Sequence, residues 1–187
     1  MKKLFTAVIL GIALAGVSLA QTASGKNGKA AEVKAAVIEF SPEPNASGMT
    51  ADAKRQLQTG LAAALAKSAK FDIADVRHTR NASADDLAAI NNGSSTAAAV
   101  KLGKQLGVSY VLTGTVTEYT PKDADGFGHI VFKTRLIEVA TGKVKHTEET
   151  TQRSTGAMNT NGMVEMHSKT VMPAVKKLAA TILELKL

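Results

Sequence analysis

Leu106 to Tyr119, reading LGVSYVLTGTVTEY, constrains the fold more than any other stretch of the chain. A helical pattern runs up to it from Ala97 and stops at Gly107, the residue type best suited to a left-handed helix C-cap. An apolar, β-branched run follows almost at once, through Tyr110, Val111, Leu112 and Val116. A helix that delivers the chain straight into a buried strand has to pack on the sheet to which that strand belongs. Gly114 sits in the middle of the run, where a buried strand would normally carry a side chain. A glycine there signals either a bulge or the close approach of another part of the chain.

Upstream of this stretch, strands and helices alternate. Val33 to Phe40, VKAAVIEF, is a short apolar run closed by Ser41-Pro42, and reads as a buried strand. SPEPNASGM is a loop, because its prolines and glycine continue neither element. Thr50 then offers a hydroxyl cap to a helix reaching about Ser68. Its inner face is Ala53, Leu57, Leu61, Ala64 and Leu65, with Lys54, Arg55, Gln58 and Lys67 outward. Phe71 to Ala74 is a second strand. Ser83 caps a further helix, with Asp85 and Asp86 near its positive end, and NNGSS separates that helix from the one entering the opening stretch.

Downstream the strands become consecutive. Ser109 to Tyr119 is followed by His129 to Val139, the turn ATGK, and Val144 to Gln152. A last helix begins near Met163, with Val164, Val171, Val175, Leu178, Ile182 and Leu185 as its apolar stripe. Pro173 either kinks this helix or marks its true start. The order β-α-β-α-α-β-β-β-α implies an α/β (α+β-like) fold. Its mixed five-stranded sheet has crossovers in the first half, a meander in the second, and helices packed on it.

Lys2 and Lys3, the apolar run Leu4 to Val17 and the small residues Ser18-Leu19-Ala20 have the form of an export signal. The run is short for a membrane span. The expected organisation is a signal peptide at 1–20, a flexible leader at 21–32 and one domain at 33–187. The mature chain would be periplasmic, have no membrane span, and be soluble or associated with the outer membrane. A chain of this size buries an adequate core without disulfides, and it contains no cysteine at all. The net charge of +7 falls to +5 once Lys2 and Lys3 are set aside. In an exported protein the partners such a balance suggests are anionic envelope polymers or an acidic protein face, not nucleic acid, but the basic residues (Lys67 and Lys70, Arg77 and Arg80, Lys133 and Arg135, Lys176 and Lys177) are scattered, the usual pattern of a solvated surface.

Little in the chain suggests catalysis. His78, His129, His146 and His167 lack metal-ligand spacing, and a pairing of His129 with His146 across the hairpin would supply too few ligands. No nucleophile-elbow or Ser-x-x-Lys motif surrounds any serine. GKNGK near Lys26 has neither a preceding strand nor the closing Lys-Ser/Thr of a phosphate loop. Asp72 with Asp75, and Glu148 with Glu149, read as solvated surface charges. The chain is expected to be non-enzymatic, with no catalytic, cofactor-binding or metal-ligating residue; a hydrolase with an unrecognised site is the remote alternative.

Three segments together resemble a known family. KAAVIEF serves as its first strand, AAAVKLGKQLGVSYVLTGTVTEY as its helix-Gly-strand signature, and FKTRLIEVATGKV as the strand and Thr-Gly turn that follow. This order is similar to the curli-secretion component (CsgG) family and to its smaller relatives, the LpoB-like activators of penicillin-binding proteins. The resemblance spans most of residues 33–187. It implies a mixed sheet flanked by helices and an envelope protein that works by binding, in assembly or secretion. The alternative it offers is a regulator of a peptidoglycan synthase, and self-assembly stays open. Members of both groups are typically lipoproteins, whereas this chain has no cysteine to acylate. The connections after Tyr119 and Arg153, at about ten residues each, are too short for the tilted membrane hairpins of a pore.

Strand direction places the expected partner site. In the meander, loops 120–128 and 153–162 lie at one end of the sheet, and loop 41–49 joins them if the first strand is parallel to the third. Binding residues concentrate on loops held by a rigid scaffold. Phe127, Met158 and Tyr119 are the apolar residues expected to engage a protein partner there.

Overall fold

The apolar segment Val33–Val37 forms β1, which is flanked on both sides by parallel strands, β3 (Phe71–Ile73) and β4 (Tyr110–Thr120). Burial on both faces explains why this stretch is continuously apolar instead of alternating. The structure, a computed structural model, describes residues 32–80, 84–91 and 96–187. The expected export signal, nearly all of the leader and the Ser83 cap lie outside them.

β4 continues the sheet into an antiparallel meander with β5 (His129–Glu138) and β6 (Val144–Arg153). The strand order is β3-β1-β4-β5-β6. A sixth piece, β2 (Ser41–Pro42), pairs in parallel with Thr115 and Val116 of β4, so the start of the expected loop SPEPNASGM is an extension of the sheet. Pro44–Ala46 then makes one 3-10 turn.

Helices cover the sheet unequally. α1 (Ala51–Ala66), capped by the Thr50 hydroxyl accepting from Ala53 N–H at 3.2 Å, lies on one face with the C-terminal helix. There Leu57, Leu61 and Leu65 meet Phe40, Leu112, Phe132, Leu136, Leu178 and Ile182 in the larger core. α3 (Ala84–Asn91) and α4 (Thr96–Leu106) lie on the opposite face, where Ile90, Ala99 and Leu102 pack on Ala36, Ile38, Val111 and Ile137. α4 ends as expected: Gly107 has φ 65°, and Val108 N–H returns to Gly103 O at 3.0 Å.

Gly114 is a close-approach site. A Cβ there would lie 2.6 Å from the Phe40 ring and 2.7 Å from Lys133 O. The missing side chain lets Phe40 sit against the sheet, edge-on to Phe132 with ring centroids 5.7 Å apart. The irregularity in β4 falls further on, between Val116 and Glu118.

Two features depart from the sequence pattern. Gln58, expected outward, is fully buried: its amide donates to Val37 O and to the Thr79 hydroxyl, both at 2.8 Å, and accepts from Arg80 at 2.9 Å. A short helix α2 (Val76–Arg80), absent from the expected order, supplies those last two partners. The C-terminal helix begins as α5 (Met163–Met166), passes through a π-turn at His167–Val171 and continues as α6 (Met172–Glu184), with Pro173 in its first turn. The π-turn adds a residue and rotates everything before it. Met166 and Thr170 therefore face inward, and Val164, expected in the stripe, stands 81% exposed. Pro173 has no N–H for Lys169 O, which instead accepts from Thr155 N–H at 2.9 Å.

Candidate partner-binding surface

β4 and β6 both run out to one end of the sheet, and the loops leaving them are bonded into a single rigid cap. Asp123 holds the turn of the first loop: its carboxylate accepts from Phe127 N–H at 2.8 Å, and its own N–H donates to Phe127 O at 2.7 Å. The second loop docks on the first through Met158 N–H to Gly126 O at 2.7 Å and Ser154 N–H to Gly128 O at 2.8 Å. Thr50, closing the loop that follows β2, reaches Met163 Sδ at 3.3 Å. The third loop thus meets the C-terminal helix at the same end.

Glu165 organises the second loop. Its carboxylate accepts from the N–H groups of Asn159 and Thr160 at about 3.0 and 2.9 Å and pairs with Lys169 at 2.6 Å. The lysine contact, followed by the two backbone donors, lowers its pKa to about 2. Lys169 also donates to Ala157 O at 2.6 Å, which closes the ring of contacts.

The three expected partner residues separate here. Met158 is buried at 2% exposure and Tyr119 at 7%, both within the larger core. Their apolar side chains had more surface to cover by tucking onto the sheet, so neither presents itself to a partner. Burial also pushes the Tyr119 hydroxyl above its usual pKa. Phe127 alone remains half-exposed. The Arg153 guanidinium lies over its ring at 4.0 Å, and Arg153 in turn approaches Asp125 at 3.4 Å and Asp123 at 3.5 Å. An aromatic ring under a guanidinium, with carboxylates beside it, combines two side-chain types that are enriched at protein interfaces.

A second surface escaped the sequence reading. On the α3 side, α3 and α4 cover only the Val111–Ile137 end of the meander, where the Arg135 guanidinium donates to Ile90 O at 3.2 Å, and they leave the rest of that face open. Thr115 and Thr117 of β4, Lys133 and Arg135 of β5, and Thr147, Glu149 and Thr151 of β6 form a polar floor. Together with the β2 rim (Ser41 to Pro44), part of it encloses a groove of about 480 Å³. The signal was present as polar alternation in β6, where only Thr150 is buried.

The histidines do not assemble. His129 is paired with Arg153 and His146 with Leu136 in the β5–β6 ladder, seven positions apart along β5, so they do not face one another. Each instead meets a carboxylate, Glu118 at 3.2 Å and Glu148 at 3.4 Å. Among the described residues no group of three or more potential ligands is placed to hold a metal ion.

The family model that matches is that of the peptidoglycan-synthase activator LpoB, over residues 16–152, which includes the helix-Gly-strand signature and nearly all of the meander. The chain belongs to the LpoB family. This supports the activator half of the resemblance and gives no support to the curli-secretion half. LpoB proteins activate an enzyme and are not enzymes themselves, in line with the non-enzymatic expectation, and an envelope setting agrees with the family. No curated protein sequence matches the chain. Among solved structures, hypothetical protein CT253 of Chlamydia trachomatis is 17% identical over 82% of this chain and 94% of its own, with TM-score 0.57. The PelC dodecamer of Paraburkholderia phytofirmans is 18% identical over 78% of this chain and 86% of its own, with TM-score 0.50. These two share the fold. The LpoB C-terminal domain of Salmonella enterica is 17% identical over 64% of this chain and 81% of its own, with TM-score 0.42.

Proposed function

We propose that this protein is exported to the periplasm and there stimulates a peptidoglycan synthase by binding it. The observation that carries the reading is the match to the synthase-activator family across residues 16–152. Phe127 and Arg153 on the loop cap are the contact we assign, because they form an accessible, preorganised aromatic–guanidinium pair. Met158 and Tyr119 act beneath them as support, since both are buried under the same loops. The non-covalent mode fits a family of activators: binding energy realised on the synthase shifts it toward its active form.

The test is the rate of glycan-strand polymerisation by a purified peptidoglycan synthase from the same envelope, with and without this protein. Added protein should raise the rate, and Phe127→Ala should weaken the stimulation by at least tenfold in half-maximal concentration, the size of a modest hot spot. Its thermal midpoint should stay close to that of the parent. Stimulation unaltered by Phe127→Ala would move the contact elsewhere. Failure to stimulate or bind any synthase, with capture of a secretion component instead, would overturn the reading itself.

A further inference from the structure

At the opposite end of the sheet the surface is built from lysines. β1, β3, β4 and β6 begin there and β5 ends there. α1 and α4 end there too, each feeding the strand that follows, and α6 ends beside Lys70, whose ammonium donates to Leu183 O at 2.7 Å and to Leu185 O. Three helix C-termini therefore direct their negative ends at this surface, which favours cations around them. Lys70 is used as a cap, and Lys145 pairs with Glu138 at 3.5 Å. Lys34, Lys67, Lys104, Lys143 and Lys186 are exposed, and no ion pair among the described residues engages them.

Three further observations separate this patch from an ordinary solvated surface. First, the charge balance differs along the strand axis: lysines outnumber Glu32, Asp72, Glu138 and Glu184 at this end, whereas Glu43, Glu118, Asp123, Asp125 and Glu165 outnumber Lys122, Arg153 and Lys169 at the loop end. Second, Val144 and Leu187, two of the three exposed large apolar side chains among the described residues, stand among the lysines. A shallow groove of about 600 Å³ floored by Val33, Val108, Tyr110 and Val139 opens beside Lys104, with Glu32 and Glu138 also in its lining. Third, the patch contains no arginine: Arg55, Arg77, Arg80, Arg135 and Arg153 all lie elsewhere. Protein interfaces favour arginine and are depleted in lysine. Long lysine stems spread around apolar side chains suit a diffuse layer of phosphates at a lipid interface.

We propose that this lysine end is a contact surface for an anionic lipid bilayer. The ammonium groups of Lys34, Lys67, Lys104, Lys143 and Lys186 reach headgroup phosphates, and Val144 and Leu187 enter the interface between them. The loop cap with Phe127 then points away from the bilayer. The surface stands on its own charge pattern and does not require synthase activation.

Co-sedimentation of the full chain with phosphatidylethanolamine vesicles containing phosphatidylglycerol, against phosphatidylcholine vesicles, tests it. Binding should be confined to the anionic vesicles and fall as salt rises. Each lysine near an anionic surface is worth about fivefold in binding, so Lys67→Gln, Lys104→Gln and Lys143→Gln together should weaken it about a hundredfold. Lys122→Gln, Lys133→Gln and Lys176→Gln remove the same charge from other surfaces and should have little effect. Lysine acetylation footprinting locates the contact independently of the variants. Vesicles should protect Lys67, Lys104 and Lys143, and leave Lys122, Lys133 and Lys176 reactive. Equal losses from the two triple variants, salt-insensitive binding, uniform protection, or binding to soluble anionic polysaccharide with none to vesicles would each overturn the proposal.

Discussion

β1 and β6 lie in one sheet and have opposite chemistry. β1 has a strand on each side and helices on both faces, and Ala35, Ala36 and Val37 are all buried. β6 is an edge of the sheet with a helix over one face only, and its sequence VKHTEETTQR buries only Thr150. The difference teaches where this fold stores stability and where it leaves polar surface exposed. The doubly covered half is rigid because apolar area is removed from water on both sides. The meander half leaves a polar face, an edge strand and two loops accessible, while α6 anchors it from behind.

Core truncations should expose that contrast most strongly. Ile38→Ala and Leu178→Ala remove fully buried side chains from the two cores and should each cost about 2–5 kcal/mol in chemical denaturation. Thr151→Ala on the open face should stay within about 0.5 kcal/mol. A comparable loss at Thr151 would mean that the meander face is covered after all.

A smaller effect is expected where the two halves meet. Gly114→Ala pushes a methyl into the Phe40 ring and should destabilise by about 1–3 kcal/mol, the usual cost of overpacking. In a Phe40→Leu background part of that cost should vanish, which a double-mutant cycle would read as coupling. Strict additivity would remove Phe40 as the reason for the glycine.

The loop cap should respond to pH where the sheet does not. The folded pKa of Glu165, about 2, lies below the ordinary glutamate value of 4.5, so the unfolded loop binds the proton more readily. Its contribution is therefore present above about pH 4.5 and lost as pH falls toward 2. Amide exchange at Asn159 and Thr160, the two backbone donors to Glu165, should accelerate across that window relative to β4 amides. Glu165→Gln should abolish the pH dependence, and persistence of the dependence in that variant would assign it to another group.

The smallest expected effect on stability is at Phe127. Its ring is half-exposed, so Phe127→Ala should shift the thermal midpoint little while weakening synthase capture. A large midpoint shift would show that the ring serves the cap instead of a partner.

The sequence by itself determined the elements that rest on local chemistry. Gly107 closes α4 because only a glycine takes φ 65° without strain, and Thr50 starts α1 because its hydroxyl satisfies an otherwise orphaned N–H. The apolar run of β1 and the change from alternating elements to consecutive strands dictated a mixed sheet, and the family signature lay in that same stretch. Only the tertiary structure decided features whose cause lies far along the chain. Gln58 looks like a surface residue until Val37 O and Thr79, each 21 residues away in sequence, satisfy its amide. Val164 fits the helical stripe until one π-turn, whose freed Lys169 carbonyl is taken up by Thr155, rotates it into solvent. Met158 and Tyr119 looked like anchors because apolar side chains on loops and strand ends carry no local sign of their orientation. Whether such a side chain faces a partner or the core depends on free volume between distant elements, and no periodicity in the sequence encodes that.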